Sequence, residues 1–194
     1  ATSNASSPAS ASPAANRGIP AFSFGLVADV QAADRPDGSN DGRIQRYALA
    51  TAKLGVAIDA WLGALRRRRT RPSSSSPPPL CCVLNLGDIV DGRDDEATTS
   101  ADLGRVLAQF ERLPASCPAV HVIGNHCLKL YPRDKLVRQL RLPSCYYRRE
   151  LAPGWALLVL DTTDLSTHGG WAEGSAEHTA ALAYMRAHEG AVRL

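Results

Sequence analysis

The sequence predicts an α/β fold built on a parallel sheet. Four apolar runs of five to seven residues, each followed by polar residues, are typical of strands buried on both faces of a sheet. Helical segments separate the first three runs, and this alternation favours parallel neighbours. At 194 residues, with 44% hydrophobic and 21% charged residues, the chain suits one globular domain or part of a larger one.

The predicted strands share one pattern, an apolar run that stops at a polar side chain or at glycine. They are Phe22–Ala28 before Asp29, Cys81–Leu86 before Gly87-Asp88, Ala119–Ile123 before Gly124-Asn125, and Trp155–Leu160 before Asp161. No internal repeat is visible.

Two helices are predicted between these strands. From about residue 43 to residue 66, apolar side chains recur at spacings of three and four, as in Leu54, Ile58 and Leu62. Residues 101–113 repeat the pattern. Each helix therefore has one face that can pack against the sheet.

Two segments fall outside this pattern, so we divide the chain into a tail at residues 1–20 and one domain at residues 21–194. The tail is rich in Ala, Ser and Pro, has little to bury and is expected to be disordered. Residues 66–79 (RRRRTRPSSSSPPP) are expected to form a low-complexity surface loop inside the domain. The basic run Arg66–Arg71 is interpreted as a solvated helix end. Nucleic-acid binding through it is the least favoured alternative.

Charge, cysteines and hydropathy narrow the class of protein. A net charge of +3 gives no general basic face, and no apolar stretch reaches the ~18–20 residues that span a bilayer. Five cysteines without CxxC spacing suit buried thiols in a reducing compartment. We expect a monomeric cytoplasmic protein that acts on a small molecule, although the Ser-rich N-terminus leaves a transit peptide open.

Three polar residues at strand ends predict a metal site. Asp29, Asp88 and Asn125 follow the first three strands, and ligands of α/β sheets bind beyond these carboxyl ends. Clustered carboxylates repel one another unless a cation lies between them, and oxygen donors suit Mn²⁺ or Mg²⁺. Two cations bridged by Asp88 would clamp a phosphoryl group and activate a water molecule. His126 could then protonate the leaving oxygen or stabilise the phosphoryl charge, with Asp91 orienting the imidazole.

The order of these segments resembles a known superfamily. The motifs are Asp29-Val30-Gln31, Gly87-Asp88-Ile89-Val90-Asp91-Gly92 and Gly124-Asn125-His126-Cys127. They are similar to the DxH, GDxxD and GNH[DE] motifs of calcineurin-like metallophosphoesterases, with glutamine replacing the first histidine. Together with FxFGxxADVQ and Leu160–Ser166 (LDTTDLS), they resemble the manganese-dependent ADP-ribose/CDP-alcohol diphosphatase family over roughly residues 20–170.

The resemblance implies a role for each matched residue. Asp29 and Gln31 would bind one Mn²⁺ ion, Asp88 would bridge two ions, and Asn125 would bind the second. His126 would be catalytic, with Asp91 behind it. The family fold is an α/β/β/α sandwich. The implied reaction is Mn²⁺-dependent hydrolysis of the diphosphate linkage in ADP-ribose or CDP-alcohols, of the CDP-choline and CDP-glycerol type, to two phosphomonoesters.

The late motifs of the family, a lone His and GHxH, have no match here. The other histidines, which we do not assign to metal, are His121, His168, His178 and His188. We therefore expect the N-terminal part only of the fold, with the second metal underligated and a large apolar face exposed. Two alternatives stay open: a truncated, inactive homologue, and a metallophosphoesterase that acts on another phosphodiester or on a phosphomonoester.

Overall fold

The computed structural model describes residues 22–40, 42–70, 78–92 and 95–188. The predicted tail at residues 1–20 and residues 71–77 of the predicted loop lie outside this part of the chain. The described helices and strands are, in chain order, β1 (Ser23–Val27), β2 (Gly38–Asn40), β3 (Arg43–Gln45), α1 (Tyr47–Thr70), β4 (Leu80–Asn85), α2 (Glu96–Phe110), β5 (Ala119–His121), α3 (Arg133–Gln139), β6 (Tyr147–Ala152), β7 (Trp155–Val159) and α4 (Ala176–Ala187). Two short 3₁₀ turns cover Cys127–Lys129 and Thr162–Leu165.

The central sheet confirms the first three predicted strands. Its strand order is β1-β4-β5, and both pairs of neighbours are parallel. The register places Leu26 beside Leu84, and Leu84 beside Val120. With β4 in the middle, the carboxyl ends of all three strands meet at one edge of the sheet.

The fourth predicted strand exists but does not join this sheet. β7 pairs antiparallel with β6, which we did not predict, in a separate two-stranded sheet. Two residues, Pro153 and Gly154, form the turn, and Gly154 has a φ of 80°. A turn this short can join only antiparallel strands. The parallel pairing expected for the first three runs therefore does not extend to Trp155–Leu160.

Both helices exist, with bounds different from those predicted. α1 begins at Tyr47, because residues 43–45 form β3, and continues to Thr70. The predicted loop boundary at residue 66 is therefore wrong: the arginines favour a helix and lie at the negative end of its dipole. α2 begins at Glu96, five residues before the prediction, where the Asp95 side chain accepts a hydrogen bond from the Thr98 N–H (2.9 Å).

The sheet has a different cover on each face. Val83 of β4 packs with Ile58 of α1 and Val106 of α2 in the larger core cluster. Leu84, the next residue along the strand, packs instead with Val159 of the β6–β7 hairpin. Alternation along β4 thus places helices on one side and the second sheet on the other, which is part of the expected α/β/β/α layering.

The hairpin leaves part of the sheet uncovered. Phe24 and Leu26 of β1 share a face with the covered residues of β4, yet they are 48% and 55% exposed. On β7, Trp155 and Leu158 are 60% and 66% exposed. This confirms the expected exposed apolar face.

α1 is long and apolar enough to cross a membrane by length and mean hydropathy alone. One such helix is weak evidence, because helices that cover a core pass the same test. Here Tyr47, Leu54 and Ile58 are buried, and Gly25 of β1 has no room for a Cβ beside the Trp61 ring. α1 is thus packed against the sheet along one face.

One arginine ties α3 to the segment that follows β7. Arg133 Nε lies 2.9 Å from Asp161 Oδ2, its Nη2 donates to Thr163 Oγ1 (2.8 Å), and its guanidinium stacks 3.8 Å from the Trp171 ring centroid. Asp161 is only 2% exposed, and a buried carboxylate requires a partner such as this guanidinium.

We predict that Arg133→Ala lowers the free energy of unfolding by about 3–5 kcal/mol, because it leaves a buried carboxylate without its cation. Arg138→Ala is the matched control on α3: Arg138 pairs with Asp134 at an exposed position, and its loss should cost less than about 1 kcal/mol. Urea unfolding measures both. Equal losses in the two variants would contradict the assignment.

We predict that the buried His121, at the end of β5, makes the free energy of unfolding depend on pH. Burial lowers its pKa from 6.5 to about 4, and its Nδ1 lies 3.1 Å from Asn85 Nδ2. Below pH 6.5 the His121 side chain takes up a proton in the unfolded chain but stays mostly neutral in the folded chain until the pH approaches 4. Stability should therefore fall between pH 7 and pH 4, by about 3 kcal/mol from this group.

Thermal unfolding at several pH values measures this dependence. In His121→Leu the same pH range should change stability less than in the unsubstituted chain. An equally steep profile in both proteins would exclude His121 as the source.

Candidate metal centre

The loops after the three parallel strands stay hydrogen-bonded beyond the sheet. The Gln31 N–H donates to the Asp88 carbonyl (2.8 Å), and Ala32 and Val90 form a further parallel bridge. The His126 N–H donates to Asp88 Oδ1 (2.9 Å). The structure thus brings the segments of Asp29, Asp88 and Asn125 together, as their positions after neighbouring strands predicted.

Three of the predicted metal ligands have a left-handed backbone. Among the described residues, four non-glycine residues have a positive φ, and three of them are Asp29 (54°), Gln31 (44°) and Asp88 (48°). This conformation costs energy in residues with a Cβ, and such residues cluster at functional sites. The positive φ values therefore indicate a functional site without use of the sequence motifs.

Glycines allow the loops to approach each other. A Cβ on Gly124 would lie 2.1 Å from Asp88 Oδ1 and 2.2 Å from Asp88 N, too close for any side chain. Gly87, with a φ of 99°, has its own Cβ position 2.9 Å from Gly124 Cα. The Gly-Asp and Gly-Asn pairs of the two motifs are thus explained by this contact, which fixes the Asp88 carboxylate in place.

Asp91 lies behind His126, where the sequence analysis expected it. Its Oδ1 is 2.8 Å from His126 Nδ1, and Asp91 is fully buried. Because an ionised carboxylate can only accept, this contact is a hydrogen bond in the tautomer that carries its proton on Nδ1. The second ring nitrogen, Nε2, is then the one that can act on a ligand.

Sequence reasoning missed the groups that hold Asp91. Its second oxygen, Oδ2, pairs with the Arg35 guanidinium and lies 3.5 Å from the Tyr47 hydroxyl, while Arg35 itself lies 4.2 Å above the Tyr47 ring. Lys129 Nζ adds a positive charge 2.9 Å from His126 Nδ1. A buried carboxylate requires such a cation, but nothing in the sequence distinguished Arg35 from its neighbouring arginines.

The oxygen donors at this edge fit a hard divalent cation. Asp29 is exposed, while Gln31, Asp88 and Asn125 are half-buried. Two carboxylates and two amides suit Mn²⁺ or Mg²⁺ better than soft metals. Four donors do not fill the coordination of two ions, so further ligands are required. The metal-ligand roles of these residues stay predictions.

Three of the other described histidines have contacts elsewhere. His121 is buried beside Asn85, His178 of α4 accepts at its Nδ1 from the Gly174 N–H, and His188 stacks on Tyr184. His168 is exposed. Within the part of the chain that the structure describes, no three His, Cys, Asp or Glu side chains group to hold a metal. Gln31 and Asn125 would add amide oxygens, which belong to none of these carboxylate, imidazole and thiol classes.

Comparison with known proteins identifies the class and then the family. The chain matches no family profile. A solved dimetal phosphatase from Danio rerio matches 87% of this chain and 52% of its own, with a TM-score of 0.68 and 32% identity. The layered fold and the loop geometry thus define a chain of the metallophosphoesterase class.

The curated relatives share a single name, manganese-dependent ADP-ribose/CDP-alcohol diphosphatase. The Arabidopsis thaliana protein is 34% identical over 84% of this chain and 49% of its own length. The Homo sapiens protein is 31% identical over 76% of this chain and 45% of its own. The chain belongs to this family. It spans about half the length of the curated relatives it matches.

We predict that Gly124→Ala weakens Mn²⁺ binding at least tenfold, because the new methyl group displaces Asp88 from its place between the loops. Gly104→Ala is the matched control: its Cβ would meet nothing within 4 Å, and alanine should favour helix α2. Isothermal titration with Mn²⁺ measures both. Unchanged affinity in Gly124→Ala would show that the position of Asp88 does not control metal binding.

Proposed function

We propose that the chain carries the first half of a dinuclear site for Mn²⁺-dependent hydrolysis of the diphosphate linkage of ADP-ribose and CDP-alcohols. The observation that carries the proposal is the placement of Asp88 where three loops meet, with His126 beside it. The names of the relatives support the metal and the substrates.

Each site residue has a task in this proposal. Asp29 and Gln31 would hold one ion, Asn125 the other, and Asp88 both. Mg²⁺ is a second metal that the same oxygen donors suit. When bound, the ions would neutralise the phosphoryl oxygens and supply the attacking hydroxide. The left-handed backbone of Asp29, Gln31 and Asp88 fixes these donors before a cation arrives.

His126 would move the proton. Its Nδ1 is held by Asp91, so in the imidazolium form, which carries a proton on both nitrogens, its Nε2 can donate to the oxygen that leaves with one of the two phosphomonoesters. Arg35 and Tyr47 stabilise the Asp91 carboxylate, and thereby keep one ring orientation of the imidazole.

A small-molecule substrate and a monomeric, cytoplasmic protein complete the proposal. Support for a reducing compartment comes from the cysteines: all five are free thiols, and burial raises the pKa of Cys117 to about 11. Such thiols resist oxidation because little thiolate is present.

Asp88→Asn tests the function. We expect it to lower Mn²⁺ affinity at least tenfold, since loss of a direct ligand costs no less than loss of an outer partner, and to abolish release of AMP from ADP-ribose. Asp59→Asn, an exposed aspartate on α1, is the control and should change neither. Chromatography of the products measures turnover.

The same assay separates the alternatives. Faster hydrolysis of simple phosphomonoesters than of ADP-ribose would contradict the diphosphatase assignment. If neither the unsubstituted chain nor Asp88→Asn binds Mn²⁺ or turns over any substrate, the chain is an inactive homologue.

A further inference from the structure

A cavity of about 490 Å³ lies at the end of the sheet opposite the candidate metal centre, and its volume is within the range that holds small ligands. It is formed between the last turns of α1 and the segment that joins α2 to β5. Since β5 begins just beyond this segment, the cavity lies at the amino-terminal edge of the strands, whereas the metal centre lies at their carboxyl ends. Along α1, Arg66 of the cavity is about 28 Å from Tyr47, which contacts Asp91.

The lining of this cavity combines apolar side chains with arginines. Leu62 and Leu65 of α1, which pack against the larger core cluster, form the apolar part together with Pro114. No carboxylate is among the described lining residues, and the charged ones are Arg66, Arg68, Arg69 and Arg112. Such a lining favours a ligand that carries negative charge on an apolar body.

The four arginines differ in how far they are already engaged. Arg112 pairs with the Asp59 carboxylate and donates to Gln109 Oε1 (2.8 Å), and Arg68 is also engaged, so neither is assigned to a ligand. Arg66 and Arg69 are exposed, and no described carboxylate pairs with either side chain. They are three residues apart and therefore lie on one side of α1. Both guanidinium groups can thus reach one anion in the cavity.

The sequence supplies no carboxylate to this part of the chain. Between Asp59 and Asp88 it contains five arginines and neither aspartate nor glutamate. Like charges at neighbouring positions of a helix repel each other, so the arginine run destabilises the end of α1 unless an anion lies near it. The negative pole of the helix dipole offsets only about half a charge. A bound anion would offset the rest.

We propose that this cavity binds a small organic polyphosphate of the nucleoside triphosphate kind, at a site separate from the metal centre. Arg66 and Arg69 pair with the phosphate oxygens, because a guanidinium donates to a phosphate through two N–H groups at once. The apolar part of the ligand covers Leu62, Leu65 and Pro114. The proposal does not depend on the diphosphatase function.

The lining favours a small ligand over a nucleic acid. Among the described lining residues none is aromatic, whereas single-stranded nucleic acids are typically held by aromatic side chains on which successive bases stack. A cavity also encloses one ligand, while a polymer requires a groove that continues along its backbone.

Isothermal titration in the presence of EDTA, which removes divalent cations from the metal centre, tests the proposal with ATP, adenosine and inorganic triphosphate. We expect ATP to bind, and the other two probes, each of which lacks one part of the ligand, to bind at least tenfold more weakly. The double variant Arg66→Met/Arg69→Met keeps the aliphatic stems and should weaken ATP binding about tenfold or more, because two charge-assisted contacts are lost. Asp88→Asn should bind ATP as the unsubstituted chain does.

Arg67→Met is the matched control, because Arg67 belongs to the same arginine run but does not line the cavity. It should change ATP affinity by less than about twofold, since an exposed charge outside the site contributes little. Loss of ATP binding equal to that of the double variant would show a general effect of charge and overturn the proposal.

Four other results would also overturn it. They are no ATP binding by the unsubstituted chain, adenosine or triphosphate binding as tight as that of ATP, ATP binding that is lost in Asp88→Asn, and tighter binding of a single-stranded oligonucleotide than of ATP. The last result would assign the arginine run to nucleic acid.

Discussion

The candidate site depends on how closely two loops approach each other. Gly124 has no room for a Cβ beside Asp88, and Gly87 in turn is held against Gly124. This contact lets the His126 N–H reach the Asp88 carboxylate, and it is possible because β4 and β5 are parallel neighbours whose ends coincide. The helices cover one face of the sheet, the hairpin covers part of the other, and the glycines at the edge let the loops form the candidate site.

Asp91 connects this edge to the rest of the fold. One of its oxygens binds the imidazole of His126, and the other binds Arg35 beside Tyr47. Tyr47 is the first residue of α1 and is buried in the core. The orientation of the imidazole is therefore tied to the packing of α1, so a change in the position of this helix would change the orientation of the His126 ring.

The sequence predicted the features that local patterns determine, which are the strands and the position of the candidate site. It did not predict the features that contacts between distant residues determine. Apolar runs located β1, β4 and β5, and their ends located the site. The apolar run of β7 located the strand but not the strand it pairs with, because the pairing depends on a two-residue turn and on β6, whose charged residues hid it. The run also suggested burial on both faces, whereas Trp155 and Leu158 are exposed. Arg35 pairs with a carboxylate 56 residues away, which no spacing rule reveals. The arginines were interpreted as a helix end, which α1 confirms up to Thr70, but the loop was placed too early, from residue 66, because the serines and prolines that follow dominate the composition.

The left-handed backbone of Asp29, Gln31 and Asp88 also makes the stability of the folded chain depend on the concentration of a bound cation. Each such residue costs about 1–2 kcal/mol, and the unfolded chain does not bear this cost. A cation that binds the folded arrangement but not the unfolded chain offsets the cost in proportion to the logarithm of its concentration. A larger supply of manganese would then raise the share of the chain that stays folded and survives proteolysis.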